Sequence, residues 1–292
     1  METVWEKAFA KLNLTLDVTA GRRDGYHDLA MVMISVDLHD DVGITLRQDG
    51  QITCHSNFRW IPNDERNLAV RAVKAFREAV CEPALGADIE MKKRVPVGAG
   101  MAGGSTDAAA VLRAMNRITG AGLSVEKLRE IGLSIGSDVP YCVAGGAMLA
   151  RGRGELLTPL TELPAWPIVI CKPAFSVSTG ELFARVDARR THTRPDTDGM
   201  CRAMAEGDLA GVSRRMFNVF EDVLPRNCRE VLSVRSQLLD LGATGTVMTG
   251  TGSAVFGLFA ENDAAEAAQK ALSASYRECF LTHPIPRLFN QT

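Results

Sequence analysis

The sequence predicts an α+β fold made of two domains. Strand and helix patterns are mixed along the chain, without the strict alternation that a parallel βαβ sheet requires. Composition changes near residue 160, because residues 151–154 and 158–167 together hold three prolines and two glycines between strand patterns. Such segments are typical of a domain boundary. We therefore expect one domain at residues 1–160 and a second at residues 161–292.

The first half begins with a predicted β-hairpin. Residues 8–18 alternate apolar and polar side chains, which indicates a half-buried strand with Lys11 and Asn13 on its polar face. An Asp-Gly pair at positions 24 and 25 predicts the turn, and residues 29–38 resume as an apolar strand. A further strand is expected at residues 43–56. Apolar residues at helical spacing then predict a helix over residues 67–80.

A glycine-rich stretch follows the charged, extended residues 87–95. Its four glycines, at positions 98, 100, 103 and 104, allow positive φ angles and leave backbone amides uncovered. Ser105 or Thr106 is a natural N-cap for the helix beyond, which should end at Gly120. Unpaired amides and the positive end of a helix dipole converge on such a loop, so it predicts a phosphate site. Asp107 would repel a phosphate there and is expected to point aside or to contact a metal ion.

The rest of the chain continues the mixed pattern. Residues 124–135 predict an amphipathic helix, and residues 141–149 and 167–171 predict strands. A polar stretch at residues 187–199 is expected to be mobile. The remaining predicted elements are helices at residues 181–186, 200–217, 227–241 and 263–276, and two strands joined by a glycine turn within residues 246–259.

Charge and composition argue against several classes of function. The 33 basic and 35 acidic residues are well mixed and leave a net charge of -2, which offers no surface for nucleic acid or an anionic membrane. Seven cysteines without a C-x-x-C pair predict buried, reduced thiols, not a disulfide framework or a zinc site. The sequence shows neither a signal-peptide core nor an apolar run of membrane-spanning length. A cytoplasmic protein is the expectation.

Two other phosphate-binding motifs fit the glycine-rich stretch poorly. Residues 98–103 satisfy G-x-G-x-x-G, but residues 88–94 are mostly charged, whereas a dinucleotide-binding unit has a buried apolar strand before the loop. That unit also needs an acidic residue ending a strand about twenty residues later, where this chain predicts a helix start. A Walker loop requires a lysine after the glycines, and none follows. A loop that serves only as a turn and binds no ligand remains the alternative.

Residues 96–109, Pro-Val-Gly-Ala-Gly-Met-Ala-Gly-Gly-Ser-Thr-Asp-Ala-Ala, resemble the phosphate-binding motif of the galactokinase, homoserine kinase, mevalonate kinase and phosphomevalonate kinase superfamily. Residues 8–16, 23–27, 136–140, 177–179 and 248–253 resemble, in order, motifs of those members that phosphorylate a cytidine diphosphate-linked methylerythritol. The resemblance thus spans nearly the whole chain. Ala102 stands where the family has glycine, and Thr106 where it has serine. We expect activity to be retained, with weaker nucleotide affinity from the extra methyl group of Ala102.

The resemblance implies a two-domain small-molecule kinase fold with the active site in the cleft between the domains. ATP and Mg²⁺ would be used, with ATP on the N-terminal domain and the C-terminal domain on the substrate side. Ser105 or Thr106 would add a hydroxyl to phosphate or magnesium. Alternatively, Asn67 is only a helix N-cap and Lys93 only faces solvent. The implied ATP contacts are Pro96, Val97, Gly98, Ala99, Gly100, Met101, Ala102, Gly103, Gly104, Ser105, Thr106, Asn67 and Lys93.

Lys11 and Asp138 are the catalytic residues that the resemblance implies. Asp138 would orient the acceptor hydroxyl and take its proton late, because a carboxylate is a weak base toward an alcohol. The ammonium of Lys11 would keep Asp138 ionised and offset charge on the γ-phosphoryl group. Without the resemblance, Lys11 would be a solvated strand residue and Asp138 a turn former.

The resemblance also implies a site for the acceptor. Tyr26 or His27 would stack on the cytosine, the imidazole or nearby backbone would read the edge of the base, and Phe183 would close its other side. Without the resemblance, these would be exposed hairpin aromatics and a buried helix residue, and the glycines after position 249 would form a tight turn. The implied acceptor contacts are Asn13, Tyr26, His27, Thr179, Phe183, Gly250, Thr251 and Gly252.

The expected reaction is ATP-dependent phosphorylation of the 2-hydroxyl of the cytidine diphosphate-linked methylerythritol, in non-mevalonate isoprenoid synthesis. The expected partners are small molecules, without nucleic acid or membrane, and the oligomeric state is open. One alternative is another kinase of the superfamily, of the homoserine or phosphomevalonate type. A second is a non-catalytic nucleotide-binding relative, against which the joint presence of Lys11 and Asp138 argues.

Overall fold

Two β-sheets and the helices packed on them make up the structure, a computed structural model that describes residues 2–23, 25–189 and 193–289. The mixture confirms the predicted α+β class. The strands are β1 (Val4–Gly21), β2 (His27–Arg47), β3 (Ile52–Ser56), β4 (Gly86–Lys92), β5 (Met148–Gly152), β6 (Leu156–Pro159), β7 (Ile168–Lys172), β8 (Phe217–Asn218), β9 (Gly245–Met248), β10 (Val255–Leu258), β11 (Glu278–Thr282) and β12 (Pro284–Ile285). The helices are α1 (Leu68–Ala79), α2 (Gly103–Thr119), α3 (Val125–Ile135), α4 (Val139–Ala144), α5 (Thr179–Ala188), α6 (Thr197–Glu206), α7 (Leu209–Arg215), α8 (Glu230–Asp240) and α9 (Asn262–Ser273).

The larger sheet is built on the long antiparallel β1–β2 hairpin. Its strand order is β3-β4-β2-β1-β8, while β5 and β12 also pair with β2, and β6 pairs with β5. The smaller sheet is antiparallel, in the order β11-β7-β10-β9. One apolar cluster joins the two sheets and includes Leu12 and Leu14 of β1 with Ile170 and Phe256 of the smaller sheet. Burial of these side chains is the main force that holds the sheets together.

Both faces of β1 are buried over residues 10–18, so the prediction of a half-buried strand is wrong. Lys11 is 4% exposed and Asn13 is 0% exposed. The second half of the chain covers the polar face, since Asn13 N donates to Thr249 Oγ1 at 3.1 Å and β8 pairs with β1 at Thr15. Thr249 lies 236 positions after Asn13, so the alternation within β1 carries no sign of this cover.

Side-chain caps start two of the predicted helices. Asn67 Oδ1 accepts a hydrogen bond from Ala69 N at 2.9 Å at the start of α1. Ser124 Oγ accepts one from Lys127 N at 3.2 Å at the start of α3. Each bond satisfies an amide that has no partner within its helix. The predicted helices at residues 67–80 and 124–135 are confirmed.

Helix α2 begins earlier than predicted. The expected cap at Ser105 or Thr106 is wrong, because the helix starts at Gly103 after Ala102, which has a φ of 60° and makes no side-chain cap. Thr106 Oγ1 donates instead to the carbonyl oxygen of Gly103 at 2.8 Å. The left-handed residue turns the chain directly from the loop into the helix, so the first amides of α2 face the loop.

Other differences concern the ends and the number of elements. Residues 141–149 are not a strand, because α4 occupies Val139–Ala144 with a proline in its first turn, a favoured position, and β5 starts at Met148. Strand β2 runs to Arg47, so it joins the strand predicted at residues 29–38 to the start of the strand predicted at residues 43–56. The predicted helix at residues 200–217 is divided between α6 and α7, and strands β11 and β12 were not predicted.

Some predictions fall partly outside the described residues. The predicted hairpin turn includes residue 24, which lies outside them, as do residues 190–192 of the expected mobile stretch. Within residues 187–199, α5 extends to Ala188 and α6 starts at Thr197. All seven cysteines are free thiols, but Cys81 is exposed, contrary to the expectation of burial. Among the helices of the described ranges, none is long and apolar enough to cross a membrane.

The predicted domain boundary near residue 160 falls between β6 and β7, which belong to different sheets. The separation along the chain is not complete, because β8 and β12 return to the larger sheet. The boundary therefore stays a prediction.

Candidate active site

A cavity of about 840 Å³ lies where the β1–β2 hairpin, the glycine-rich loop before α2 and helix α5 meet. The loop is open to this cavity, and Val97 at its start is 40% exposed. Most of the predicted site residues line the same cavity, although they come from distant parts of the chain. They are Lys11, Tyr26, His27, the loop from Pro96 to Ser105, Asp138, Thr179, Phe183 and the turn from Gly250 to Gly252.

Close backbone packing explains two of the glycines. Gly100 has a φ of +75°, and a Cβ there would overlap the carbonyl oxygen of Thr249 and lie 2.9 Å from Gly252 N. A Cβ on Gly250 would lie 2.5 Å from Gly100 O. The glycine-rich loop and the Gly250 turn therefore touch backbone to backbone, which only glycine allows. The two segments form one continuous wall of the cavity.

Ala102 is the residue of this loop that departs from the family pattern. It has a φ of 60° and lines the cavity. The left-handed conformation costs a residue with a Cβ about 1–2 kcal/mol. The substitution therefore carries backbone strain in addition to the methyl group that the sequence predicted beside the phosphates.

The Lys11 side chain is buried and directed along its own strand. Its Nζ donates to Asn13 Oδ1 at 2.5 Å, and the same oxygen accepts from Gly250 N at 3.0 Å. Burial lowers the pKa of Lys11, and the charge of Asp138 opposes that change. The two groups share the cavity but do not form an ion pair within 4.0 Å. The two charges therefore interact across the cavity without direct contact.

Asp138 is positioned by the turn between α3 and α4. It occupies the N-cap position of α4 without capping it, so its carboxylate is not used within the helix. Ser137 beside it also lines the cavity. Asp138 thus lines the same cavity as the glycine-rich loop, and its carboxylate is not used to cap α4.

Aromatic and charged side chains also line the cavity. Tyr26 is 50% exposed, and the guanidinium of Arg153 lies 3.7 Å from its ring centroid. The rings of His27 and Phe183 stack directly, with centroids 4.5 Å apart and an interplanar angle of 25°. Nothing the size of a base fits between those two rings in this arrangement. His27 Nε2 also lies 2.9 Å from Asp187 Oδ1.

Four predicted contacts lie outside the cavity wall. Asn67 caps α1, and Thr106 bonds within α2. Asn13 is fully buried beneath the Gly250 turn, and its Nδ2 has no hydrogen-bond partner among the described residues. Lys93 is also buried. Since none of the four faces the cavity, their contacts with ligands stay predictions without geometric support.

Lys93 belongs to a buried cluster with two carboxylates. Its Nζ contacts Asp40 and lies 2.5 Å from Asp107 Oδ2. Asp40 also accepts from the backbone amides of Arg94 and Val95, at 2.5 and 2.8 Å. Burial lowers the pKa of Lys93, but the two carboxylates outweigh it and raise that pKa, while burial raises the pKa of Asp107 to about 7. The cluster ties the start of the glycine-rich loop to α2, and Asp107 points aside, as predicted.

Several cavity residues were not predicted from the sequence, among them Arg153, Asp187, Ser137 and Phe220. The sequence offers a weak indication that Arg153 is a site residue, because it follows a predicted strand in a glycine turn. It offers a similar indication for Asp187, which lies one helical turn after Phe183. No feature of the sequence indicates Ser137 or Phe220. No group of three or more His, Cys, Asp or Glu residues that could hold a metal occurs in the described part of the chain.

Comparisons with known proteins agree with this geometry. Residues 67–146 match the GHMP kinases N terminal domain, and residues 200–278 match the GHMP kinases C terminal domain. The chain is therefore an ATP-dependent kinase of the GHMP class.

The relatives narrow the class further. The chain is 39% identical over 287 residues to the 4-diphosphocytidyl-2-C-methyl-D-erythritol kinase of Alkaliphilus metalliredigens, covering 98% of each chain. It is 41% identical over 284 residues to that of Levilactobacillus brevis, covering 96% of this chain and 99% of the relative. A crystal structure of 4-(cytidine 5'-diphospho)-2C-methyl-D-erythritol kinase matches with a TM-score of 0.81 and 32% identity, covering 96% of this chain and 99% of that chain. The chain belongs to the 4-diphosphocytidyl-2-C-methyl-D-erythritol kinase family, which confirms the resemblance in its motifs.

Proposed function

We propose that this kinase transfers the γ-phosphoryl group of ATP to the 2-hydroxyl of 4-diphosphocytidyl-2-C-methyl-D-erythritol, a step of non-mevalonate isoprenoid synthesis. One observation carries the proposal. A single cavity is lined by the glycine-rich loop, by Lys11 and Asp138, and by the aromatic and cationic side chains of Tyr26, His27 and Arg153. A kinase acceptor with a diphosphate and a base needs both kinds of lining.

The glycine-rich loop holds the phosphates of ATP. Its open amides and the start of α2 present partial positive charge to the triphosphate. Ser105 lines the cavity, while the hydroxyl of Thr106 is used within α2, so Ser105 is the hydroxyl available to the ligand. Asp107 does not oppose the binding of ATP, because its carboxylate is paired with the Lys93 ammonium.

Lys11 and Asp138 act at the reacting atoms. The acceptor oxygen attacks the γ-phosphorus, the bond from that phosphorus to the bridging oxygen breaks, and ADP leaves with the electron pair. Asp138 orients the hydroxyl and receives its proton late in the transfer. The Lys11 ammonium stabilises the charge that develops on the transferred group, and its bond to Asn13 fixes its direction.

The acceptor lies along the aromatic wall. The base stacks on Tyr26, with the His27 ring at its edge, and stacking of this kind contributes about 1–3 kcal/mol. Phe183 stacks on the His27 ring and so supports it. Arg153 supplies the positive charge for the acceptor diphosphate, and its Nε is buried without a partner among the described residues.

Mg²⁺ fits this site as an ion held mainly by the ATP phosphates. Ser105 is the side chain that would contact it, and the ion would neutralise phosphate charge. We place the enzyme in the cytoplasm, with residues 1–160 as the nucleotide domain and residues 161–292 on the substrate side. Small molecules are its proposed partners, without nucleic acid or membrane.

Turnover with ATP, Mg²⁺ and the acceptor, followed by ADP release and ³¹P NMR, tests the proposal. Asp138→Ala should abolish phosphorylation while calorimetry still detects ATP binding, and Asp263→Asn, an exposed position on α9, is the control. Near-normal turnover by Asp138→Ala would remove Asp138 from its role. CMP should compete with the acceptor if the pocket binds cytosine. A pocket for homoserine or phosphomevalonate would not bind CMP, so this competition separates the two kinds of kinase. Binding of ATP without any turnover would indicate a non-catalytic relative.

A further inference from the structure

Helix α5 presents two side chains to His27. Phe183 and Asp187 are four residues apart, so they lie on the same face of the helix, one turn from each other. Phe183 stacks on the imidazole face at a centroid distance of 4.5 Å. Asp187 Oδ1 lies 2.9 Å from Nε2 at the ring edge. The ring is therefore held on its face and at its edge by one helix.

Phe183, which stacks on His27, is packed in turn against Phe220. The two phenylalanine rings form a T-shaped arrangement, with centroids 5.0 Å apart and rings at 80°. The side chain of His27 is 13% exposed, while that of Asp187 is 55% exposed. Asp187 can therefore be changed without opening the core. The aromatic contacts alone would still allow the imidazole to flip by 180°, which exchanges its two nitrogens.

The contact with Asp187 decides which nitrogen carries the proton. A carboxylate only accepts, so Nε2 must donate. In the neutral ring, Nδ1 is then an acceptor, and no described residue hydrogen-bonds to it. An acceptor at this point suits a base with an exocyclic amine, as in cytosine. Uracil presents a carbonyl oxygen in the same place, so two acceptors would face each other.

We infer that Asp187 is a positioning residue that orients His27 and fixes its tautomer, so that the acceptor end of the cavity selects cytosine over uracil. The inference rests on the proposed function, since it assigns the base of the acceptor to this wall. Asp187 acts through His27 and needs no contact with the base. The selection follows from a hydrogen bond that cytosine completes and uracil leaves unmade.

Calorimetry with CMP and UMP tests the inference directly, using the full chain. Wild type should bind CMP more tightly than UMP. Asp187→Ala should reduce the ratio of the two affinities by about three- to tenfold, the equivalent of one hydrogen bond. Asp187→Asn keeps the Oδ1 acceptor and should retain most of the ratio. Glu181→Gln, on the same helix but outside the cavity wall, should leave it unchanged.

A second readout separates positioning from general damage. ¹⁵N NMR of labelled histidine, with the His27 signals assigned by their loss in His27→Gln, should show the proton on Nε2 in wild type and a mixture of tautomers in Asp187→Ala. The kinetic loss should fall on the acceptor KM and not on the ATP KM. Any of three results for Asp187→Ala would overturn the inference: an unchanged ratio of CMP to UMP affinity, an equal loss of affinity for both ligands, or an unchanged His27 tautomer. Absence of phosphorylation by wild type would instead contradict the proposed function, whereas wild type without any CMP preference would overturn the inference alone.

Discussion

Replacing Gly100 by alanine tests whether the glycine-rich loop and the Gly250 turn are packed as one wall. The new Cβ would overlap Thr249 O and lie 2.9 Å from Gly252 N, at a residue with a φ of +75°. Both neighbours are backbone atoms, so no side-chain rotation relieves the overlap. The left-handed conformation costs alanine about 1–2 kcal/mol. Overpacking adds about 1–3 kcal/mol, so Gly100→Ala should lower the free energy of unfolding by about 2–5 kcal/mol.

Gly103→Ala is the matched control in the same loop. Its Cβ would meet Val95 Cγ1 at 3.5 Å and Lys93 Nζ at 3.6 Å, which are ordinary contacts. It is also the first residue of α2, where alanine is tolerated. We expect a change in unfolding free energy of less than about 1 kcal/mol.

Urea denaturation followed by circular dichroism measures both variants against wild type, with the slope m checked for equality. The ATP KM should also rise in Gly100→Ala, because displacement of the loop moves its amides. If Gly100→Ala were as stable as wild type, or if Gly103→Ala lost as much stability, the close backbone contact would not be what requires glycine at position 100.

Three further substitutions probe the loop and the buried charges. Ala102→Gly should relieve the left-handed strain and raise the free energy of unfolding by about 1 kcal/mol in urea titrations, and a loss of stability would contradict this. Burial raises the pKa of Asp107 from 3.8 to about 7, so stability is lost as the pH rises from about 4 to about 7 and does not change further above 7. Asp107→Asn should therefore gain stability relative to wild type between about pH 4 and 7, by on the order of 1 kcal/mol, whereas a constant difference across that range would show that Asp107 does not titrate there. Lys11→Met should lower kcat by about 10²–10³-fold without a loss of unfolding free energy, since removing a buried ammonium also removes its desolvation cost. Steady-state kinetics and urea titration check this, and activity within a few-fold of wild type would refute the role of Lys11.

Local patterns were sufficient for much of the fold. The caps at Asn67 and Ser124 and the helical spacing beyond them depend on neighbouring residues, so α1 and α3 were predicted within a residue or two. The glycine-rich loop was also recognised, because its backbone freedom is a property of the residues themselves. Where local preference was weak, as at α4, the prediction was wrong, since packing against α2 and α3 decided the conformation.

The sequence by itself determined the class of fold, the position of the glycine-rich loop before α2 and, through its motifs, the kinase family. Only the tertiary structure decided which residues share the site. Asn13 and Thr249 are 236 positions apart, His27 and Asp187 are 160 apart, and Lys93 and Asp40 are 53 apart. Contacts at such separations depend on how the sheets and helices pack, and the periodicity of a single segment carries no information about them. For that reason Lys93, which was expected to contact the nucleotide, is buried against Asp40 and Asp107 instead. Asp187, which was not predicted as a site residue, contacts His27.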